Sequence, residues 1–328
     1  MSLETIIKKY GAENISFALL KRVDNENSEN RAVQGSLEFE NILEHNLDSY
    51  FHPASLLKLF ISLMASELAV QNNQLKVKET EYEKNELSRA IHESISASDN
   101  DALAFLVDYL AACPWDYNLI NTENALQLTP DKQPQDILNK ILNSRLAINK
   151  FFLEKGFSAK INLVNKCFSF DYYGKERQIY EALGHNQISN RDLIKLLILI
   201  EKDFPFILNS IKRTLKNNED YENAEIGVPL HAHDIPSGII NTEDYQVQAF
   251  SGKVLAEKFK IENIYSKAGW NSKVRHDAVL FSINKDNENA ENGVGEQSQY
   301  ILTILTKNLS HDEEILQEIV SEVILTLN

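Results

Sequence analysis

The chain reads as an α/β protein of the α+β kind. An antiparallel sheet flanked by helices joins an all-helical lobe, with a cleft between them. Two observations predict this. Runs rich in apolar and β-branched residues lie near both ends of the 328-residue sequence and suit strands. Between them, from Ser55 to about Leu208, apolar residues recur at helical spacing. Strands at opposite ends share a sheet only if the chain returns to its starting point, so the helical middle forms its own lobe. The expected organisation is 1–54 with 245–328 as the sheet lobe and 55–244 as the mainly helical lobe, one intertwined structural unit.

Each element has its own reason. Met1 to Tyr10 forms a short amphipathic helix with Ile6, Ile7 and Tyr10 on one side. Ile15 to Val23 is an apolar strand, and the polar run 24–30 turns the chain toward return strands at 32–39 and 46–51. Helical periodicity marks 55–71, 84–94, 101–112, 134–155 and 190–202. Pro114 to Pro134 is polar, aromatic and irregular, an insertion over the helical region. Phe259 to Ser266, Ala278 to Asn284 and Tyr300 to Lys307 make a meander, with a solvated hairpin tip at 286–298. Asp312 to Leu327 is the closing helix.

A net charge of −15 has the wrong sign for general binding to nucleic acid or an anionic membrane. The expected partner is a small-molecule or peptide-like substrate, with neither nucleic acid nor membrane. The first ten residues lack the apolar run of a secretory signal, and no stretch approaches a transmembrane span. The expected compartment is the cytoplasm, or the periplasm if a leader has been trimmed. Cys113 and Cys167 could pair, but two isolated cysteines are more often buried thiols. No cofactor and no metal are expected. His231-Ala232-His233-Asp234 has ligand-type residues, but no third ligand lies near and the following Pro236-Ser237-Gly238 reads as a turn.

Three clusters carry chemistry: Ser55-Leu56-Leu57-Lys58, Ser98-Asp99-Asn100 and Lys267-Ala268-Gly269. A serine hydroxyl needs a base held against it at neutral pH. Lys58 meets that need, because residues three apart share a helix face. Pro53 precedes the segment, and Leu56, Leu57, Leu59, Phe60, Leu63 and Met64 continue it as an apolar helix. Ser55 then stands at the helix start, where backbone N–H groups are unpaired and can hold an oxyanion. Each cluster alone is common as a cap, a turn or a solvated pair; their order and settings carry the argument.

The set resembles the signature of class A β-lactamase-like serine hydrolases, within the β-lactamase and penicillin-binding-protein superfamily. The segments 53–59, 96–103, 188–197, 267–270 and 275–281 are similar to the nucleophile segment, second motif, post-omega-loop helix, third motif and adjoining strand of that family. The resemblance spans nearly the whole chain and implies the β-lactamase-like fold with its active site in the cleft. It implies that Ser55 is acylated, that Lys58 is the general base and that Ser98 relays protons to the leaving nitrogen. Asn100 would bond Lys58 or the substrate amide. Lys267 would lower the Lys58 pKa and attract an anionic group. Gly269, Trp270 and Arg275 would bind substrate, with oxyanion donors at Ser55 N–H and near Trp270.

The sequence departs from the family pattern in four ways. Ala268 replaces the usual hydroxyl residue, leaving Arg275 to bind a carboxylate. The omega-loop position expected to hold the deacylating glutamate falls near Gly174, leaving Glu176 and Glu181 as candidates or as surface carboxylates. Ser55 to Ser98 is short for the class, and Ser98 to Lys267 is long. An aromatic, Trp270, follows the third motif. The leading reading is a serine hydrolase cleaving a β-lactam-like, peptide-like or small amide through a Ser55 acyl-enzyme. Two alternatives stay open: a non-catalytic or single-turnover ligand sensor, and a glutaminase-like amidohydrolase.

Overall fold

The strands are β1 (Ile15–Val23), β2 (Glu38–His45), β3 (Tyr50–Phe51), β4 (Ile188–Ser189), β5 (Lys212–Arg213), β6 (Ile261–Trp270), β7 (Arg275–Lys285) and β8 (Glu296–Thr306). Six of them form one antiparallel sheet in the order β2-β1-β8-β7-β6-β5. A computed structural model describes residues 2–23, 38–71, 86–112, 135–166, 174–213, 251, 254–255, 258–259, 261–285, 296–312 and 314–327. The 24–30 turn, the 114–134 insertion, Cys113, Cys167, His231 to Asp234 and most of the 286–298 loop lie outside the described residues.

The first strand meets the last. β1 pairs with β8 from Ile15↔Thr306 to Lys21↔Tyr300, so the two ends of the chain share a sheet as the sequence predicts. The pleat sorts side chains by parity. Phe17, Leu19, Val279, Phe281, Leu302 and Ile304 face helices α1 (Leu3–Tyr10) and α9 (Ile315–Val323), which contribute Ile6, Ile315 and Ile319. Ala18, Leu20, Ala278, Leu280, Ile301 and Leu305 face the helical lobe. Both faces are covered, which is why these strands read as continuous apolar runs rather than alternating ones.

The helical lobe contains α2 (Leu57–Gln71), α3 (Glu86–Ser96), α4 (Asn100–Ala112), α5 (Gln135–Glu154), α6 (Gly174–Leu183), α7 (Asn190–Asp203) and α8 (Pro205–Ser210). α2 is apolar nearly all round and buries Leu57, Leu59, Phe60, Ile61 and Leu63. Each such side chain contributes about 1.5–3 kcal/mol on leaving water. One sequence expectation needs correcting here. The helical stretch Ala54–Gln71 is long and apolar enough to cross a membrane by length and composition. Two thirds of it is buried inside the protein, and it packs as the lobe's core helix.

Other differences are local. The return strand lies at 38–45 rather than 32–39. The second is only Tyr50–Phe51 and pairs with β4, tying the approach to Ser55 to the start of α7. A capping box holds that start: Ser189 Oγ accepts from Asp192 N–H at 3.1 Å, and Asp192 accepts from Ser189 N–H at 3.2 Å. α6 and α8 were not expected from periodicity. β6 runs on to Trp270, which places the whole Lys267-Ala268-Gly269 cluster inside a strand.

Candidate active site

The chain reaches Ser55 through a tight bend. Ala54 has φ +47°, in the left-handed region, and opens the 3-10 turn Ala54–Leu56 that runs into α2. Leu56 N–H donates to Pro53 O at 3.0 Å across the turn. A non-glycine residue held there costs about 1–2 kcal/mol, so surrounding contacts must impose the conformation. Ser98, in the second cluster, is likewise left-handed at φ +58°. Asp99 follows it and caps α4, its Oδ1 accepting from Ala102 N–H at 2.6 Å.

Three of the sequence-predicted residues, Ser55, Ser98 and Asn100, converge on Lys58, which is 1% exposed. Its Nζ lies 3.3 Å from Ser55 Oγ and 3.1 Å from Ser98 Oγ. It also donates to Ser98 O at 2.5 Å and to Asn100 Oδ1 at 2.8 Å. The last two oxygens can only accept, whereas the hydroxyls can donate or accept. The left-handed turn at Ser98 presents both that residue's carbonyl and its hydroxyl to the amine. Lys267, on β6 and fully buried, donates to Ser98 Oγ and to Ala268 O, each at 2.9 Å. The hydroxyl of Ser98 therefore joins two lysines that lie 209 positions apart in sequence.

β6 forms the opposite wall. Ser266 N–H donates to Ile211 O at 2.8 Å on the side of β6 away from β7. By strand alternation the N–H groups of Ala268 and Trp270 face that same side. Among the described residues, no strand pairs with it beyond Ser266. Gly269 comes close to the turn that carries Ser55: a Cβ there would sit 3.0 Å from Pro53 O and from Leu56 Cγ, and 3.2 Å from His276 Cδ2. Only glycine lets strand and turn meet at this distance. Trp270 is 41% exposed at the rim. The guanidinium of Arg275, itself buried, lies 5.4 Å from its ring centroid.

Two histidines lie beneath the turn. His276 Nδ1 accepts from Thr306 N–H at 3.0 Å, so its Nε2 carries the hydrogen donated to His52 O at 2.8 Å. His52 Nδ1 accepts from Ala54 N–H at 3.1 Å. Burial pushes both imidazoles down to about 4, and they are neutral at pH 7. Asp277 is fully buried and accepts from Ser251 Oγ at 2.6 Å and Ser266 Oγ at 2.9 Å; burial raises its pKa. In the sequence His276 stands out only as part of the 275–281 strand segment, and His52 reads as part of a pre-proline loop.

The two candidate deacylating acids are placed elsewhere. Glu176 lies on α6 inside an ionic cluster: Arg145 Nη2 is 2.8 Å from its Oε1, and Lys166 Nζ is 3.6 Å away. Arg145 and Lys166 also reach Asp108, at 3.0 and 2.5 Å. Glu181 lies on the outer face of α6, 2.6 Å from Arg177 in an i,i+4 pair. No hydrogen bond among the described residues joins either carboxylate to Ser55, Lys58, Ser98 or Lys267. The cluster around Arg145 escaped the sequence reading because its members come from α4, α5, α6 and the segment after α5.

Neither a protein-family model nor a curated protein sequence matches the chain. Solved structures do. A beta-lactamase from Sphaerobacter thermophilus is 14% identical, with 98% of this chain and 95% of that chain covered and a TM-score of 0.51. A class A beta-lactamase representing the last common ancestor of Gram-negative bacteria is 10% identical, with 99% and 98% covered and a TM-score of 0.53. At such identities the likeness is one of fold: the chain has the β-lactamase-like α/β architecture, over essentially its full length.

Proposed function

We propose that the protein is a serine hydrolase that cleaves an amide bond through an acyl-enzyme on Ser55. The observation that carries this reading is the set of acceptors around Lys58. A neutral amine has two hydrogens and one lone pair. Ser98 O and Asn100 Oδ1 can only accept, so they orient the amine by its hydrogens, and Ser55 Oγ lies 3.3 Å from it, within reach of proton transfer. Lys267 reaches the same hydroxyl of Ser98, so the two amines meet at one relay group.

In this reaction Lys58 takes the Ser55 proton as Oγ bonds to the substrate carbonyl carbon. The resulting oxyanion meets the N–H groups of Ser55 and Trp270. The C–N bond then breaks, the proton passes from Lys58 through Ser98 to the leaving nitrogen, and water later hydrolyses the ester. Ala268 offers no hydroxyl to a substrate carboxylate, which favours peptide-like or small amides over penicillins; Arg275 is the nearby cation for such a group.

A second reading, a sensor that acylates once, is favoured by one observation: Glu176 and Glu181 are both engaged in ion pairs away from Ser55. The test follows intact mass over time with a fluorescent penicillin and a fluorophosphonate, alongside Ser55→Ala. A Ser55-dependent adduct that decays with the penicillin supports the hydrolase. A persistent one supports the sensor, and labelling that survives in Ser55→Ala overturns both.

A further inference from the structure

We propose that His52 and His276 are positioning residues, a two-imidazole strut that hangs the nucleophile turn from the central sheet. The inference rests on the reading of Ser55 as nucleophile. The strut has three links, each fixed by hydrogen-bond polarity. Thr306 N–H, on β8, donates to His276 Nδ1 at 3.0 Å. His276 Nε2–H donates to His52 O at 2.8 Å. The side chain of His52 then bends back, and its Nδ1 accepts from Ala54 N–H at 3.1 Å.

This last bond spans two residues, as in a turn closed by an asparagine side chain. It acts on the one residue before Ser55, which holds φ +47° without being glycine. The bond thus supplies a local reason for a strained conformation that propensity alone would not select. A side chain on β7, anchored to β8, thereby sets the direction from which Ser55 leaves the backbone.

The surroundings hold the imidazoles in place. His276 is fully buried and packs against the backbone of Gly269, where a Cβ would come within 3.2 Å of its ring. Asn271 uses its Oδ1 to accept from Lys273 N–H and Val274 N–H, at 2.8 and 3.0 Å, and turns its Nδ2 to within 3.4 Å of His52 Nδ1. Only neutral imidazoles can make these contacts, because both Nδ1 atoms must accept. The strut enters the site through the same opening that Gly269 keeps clear, so turn, glycine and histidines act as one joint. Neither histidine bonds to the hydroxyls of Ser55 or Ser98 among the described hydrogen bonds, so their effect is on aim.

The test compares the rate of fluorophosphonate labelling in the unmodified protein, His52→Leu, His52→Asn and Ser55→Ala, with the thermal midpoint of each. His52→Leu removes the acceptor for Ala54 N–H and should slow Ser55 labelling about 10- to 100-fold, the scale of a small misplacement of a reacting atom. In His52→Asn the Oδ1 takes the place of Nδ1, and labelling should return to within about threefold of the unmodified protein. Labelling of His52→Leu at the normal rate overturns the strut. If His52→Leu does not fold, His52→Asn decides alone: a folded Asn variant that labels 100-fold slowly overturns it as well. Labelling that does not depend on Ser55 in the unmodified protein removes the nucleophile reading, and the strut's role falls with it.

Discussion

The molecule buries cations in two places and surrounds them differently. Around Arg145 and Lys166 the partners are carboxylates, Glu176 and Asp108, at 2.5–3.6 Å. Around Lys58 and Lys267 the hydrogen-bond acceptors are hydroxyl, carbonyl and amide oxygens. The first arrangement neutralises charge and joins α4, α5 and α6. The second joins α2, the Ser98 turn and β6 through one shared hydroxyl. Carboxylates at the first place tie elements together, whereas the described partners at the second are groups that can orient an amine and pass a proton, as the proposed mechanism needs.

The sharpest way to break this contrast is Lys58→Met. Loss of a general base lowers acylation by roughly 10²–10⁴-fold, while Met puts an apolar side chain of similar length where a polar amine was buried, which the interior tolerates. Labelling kinetics and the unfolding midpoint should therefore move apart; a large loss of stability with normal acylation would reverse the assignment. Arg145→Met should do the opposite. It takes the nearer of two cations from buried Glu176 and costs about 3–5 kcal/mol in denaturant unfolding, with the labelling rate of the folded protein unchanged.

Acid sharpens the same comparison. An unfolded histidine takes up a proton near its ordinary value of 6.5, whereas His276 and His52 resist until about 4. Between these values the unfolded state binds more protons, so stability is full above pH 6.5 and falls as pH drops toward 4. For fully buried His276 the loss is up to about 3 kcal/mol. Besides burial, the charges that oppose protonation of His52 belong to His185 and Lys273. Thermal midpoints measured from pH 7 to 4.5, with and without His276→Gln, check the slope; a variant as acid-sensitive as the parent removes His276 as its source. The smallest effect is expected at Glu181→Gln. An exposed i,i+4 pair contributes less than about 0.5 kcal/mol, and both stability and adduct decay should stay put. Slowed decay would make Glu181 a deacylating group after all.

What the sequence made legible was local. Ser55 and Lys58 lie three apart, Ser98 and Asn100 flank a helix cap, and the end strands are apolar on both faces, so short patterns announce them. The joining of Lys267 to Ser98 was legible only through resemblance, since no spacing rule spans 169 residues. α6 was missed because only Glu176 and Ile179 are buried on it, too few for a helical stripe. The Arg145 cluster and the histidine strut were illegible for a common reason. Each is made from side chains on separate elements, and polar residues carry no periodicity that tells a buried one from a solvated one.

The pairing of β1 with β8 has a consequence for synthesis. Translation at 5–20 residues per second puts Thr306 on the growing chain roughly 10–50 s after Ser55. Until then, β1 lacks β8, the strand that joins it to β7, and His276 lacks the Thr306 amide that braces it. On the reading of Ser55 as nucleophile, the hydroxyl is made well before the frame that would aim it, and reactivity waits for β8.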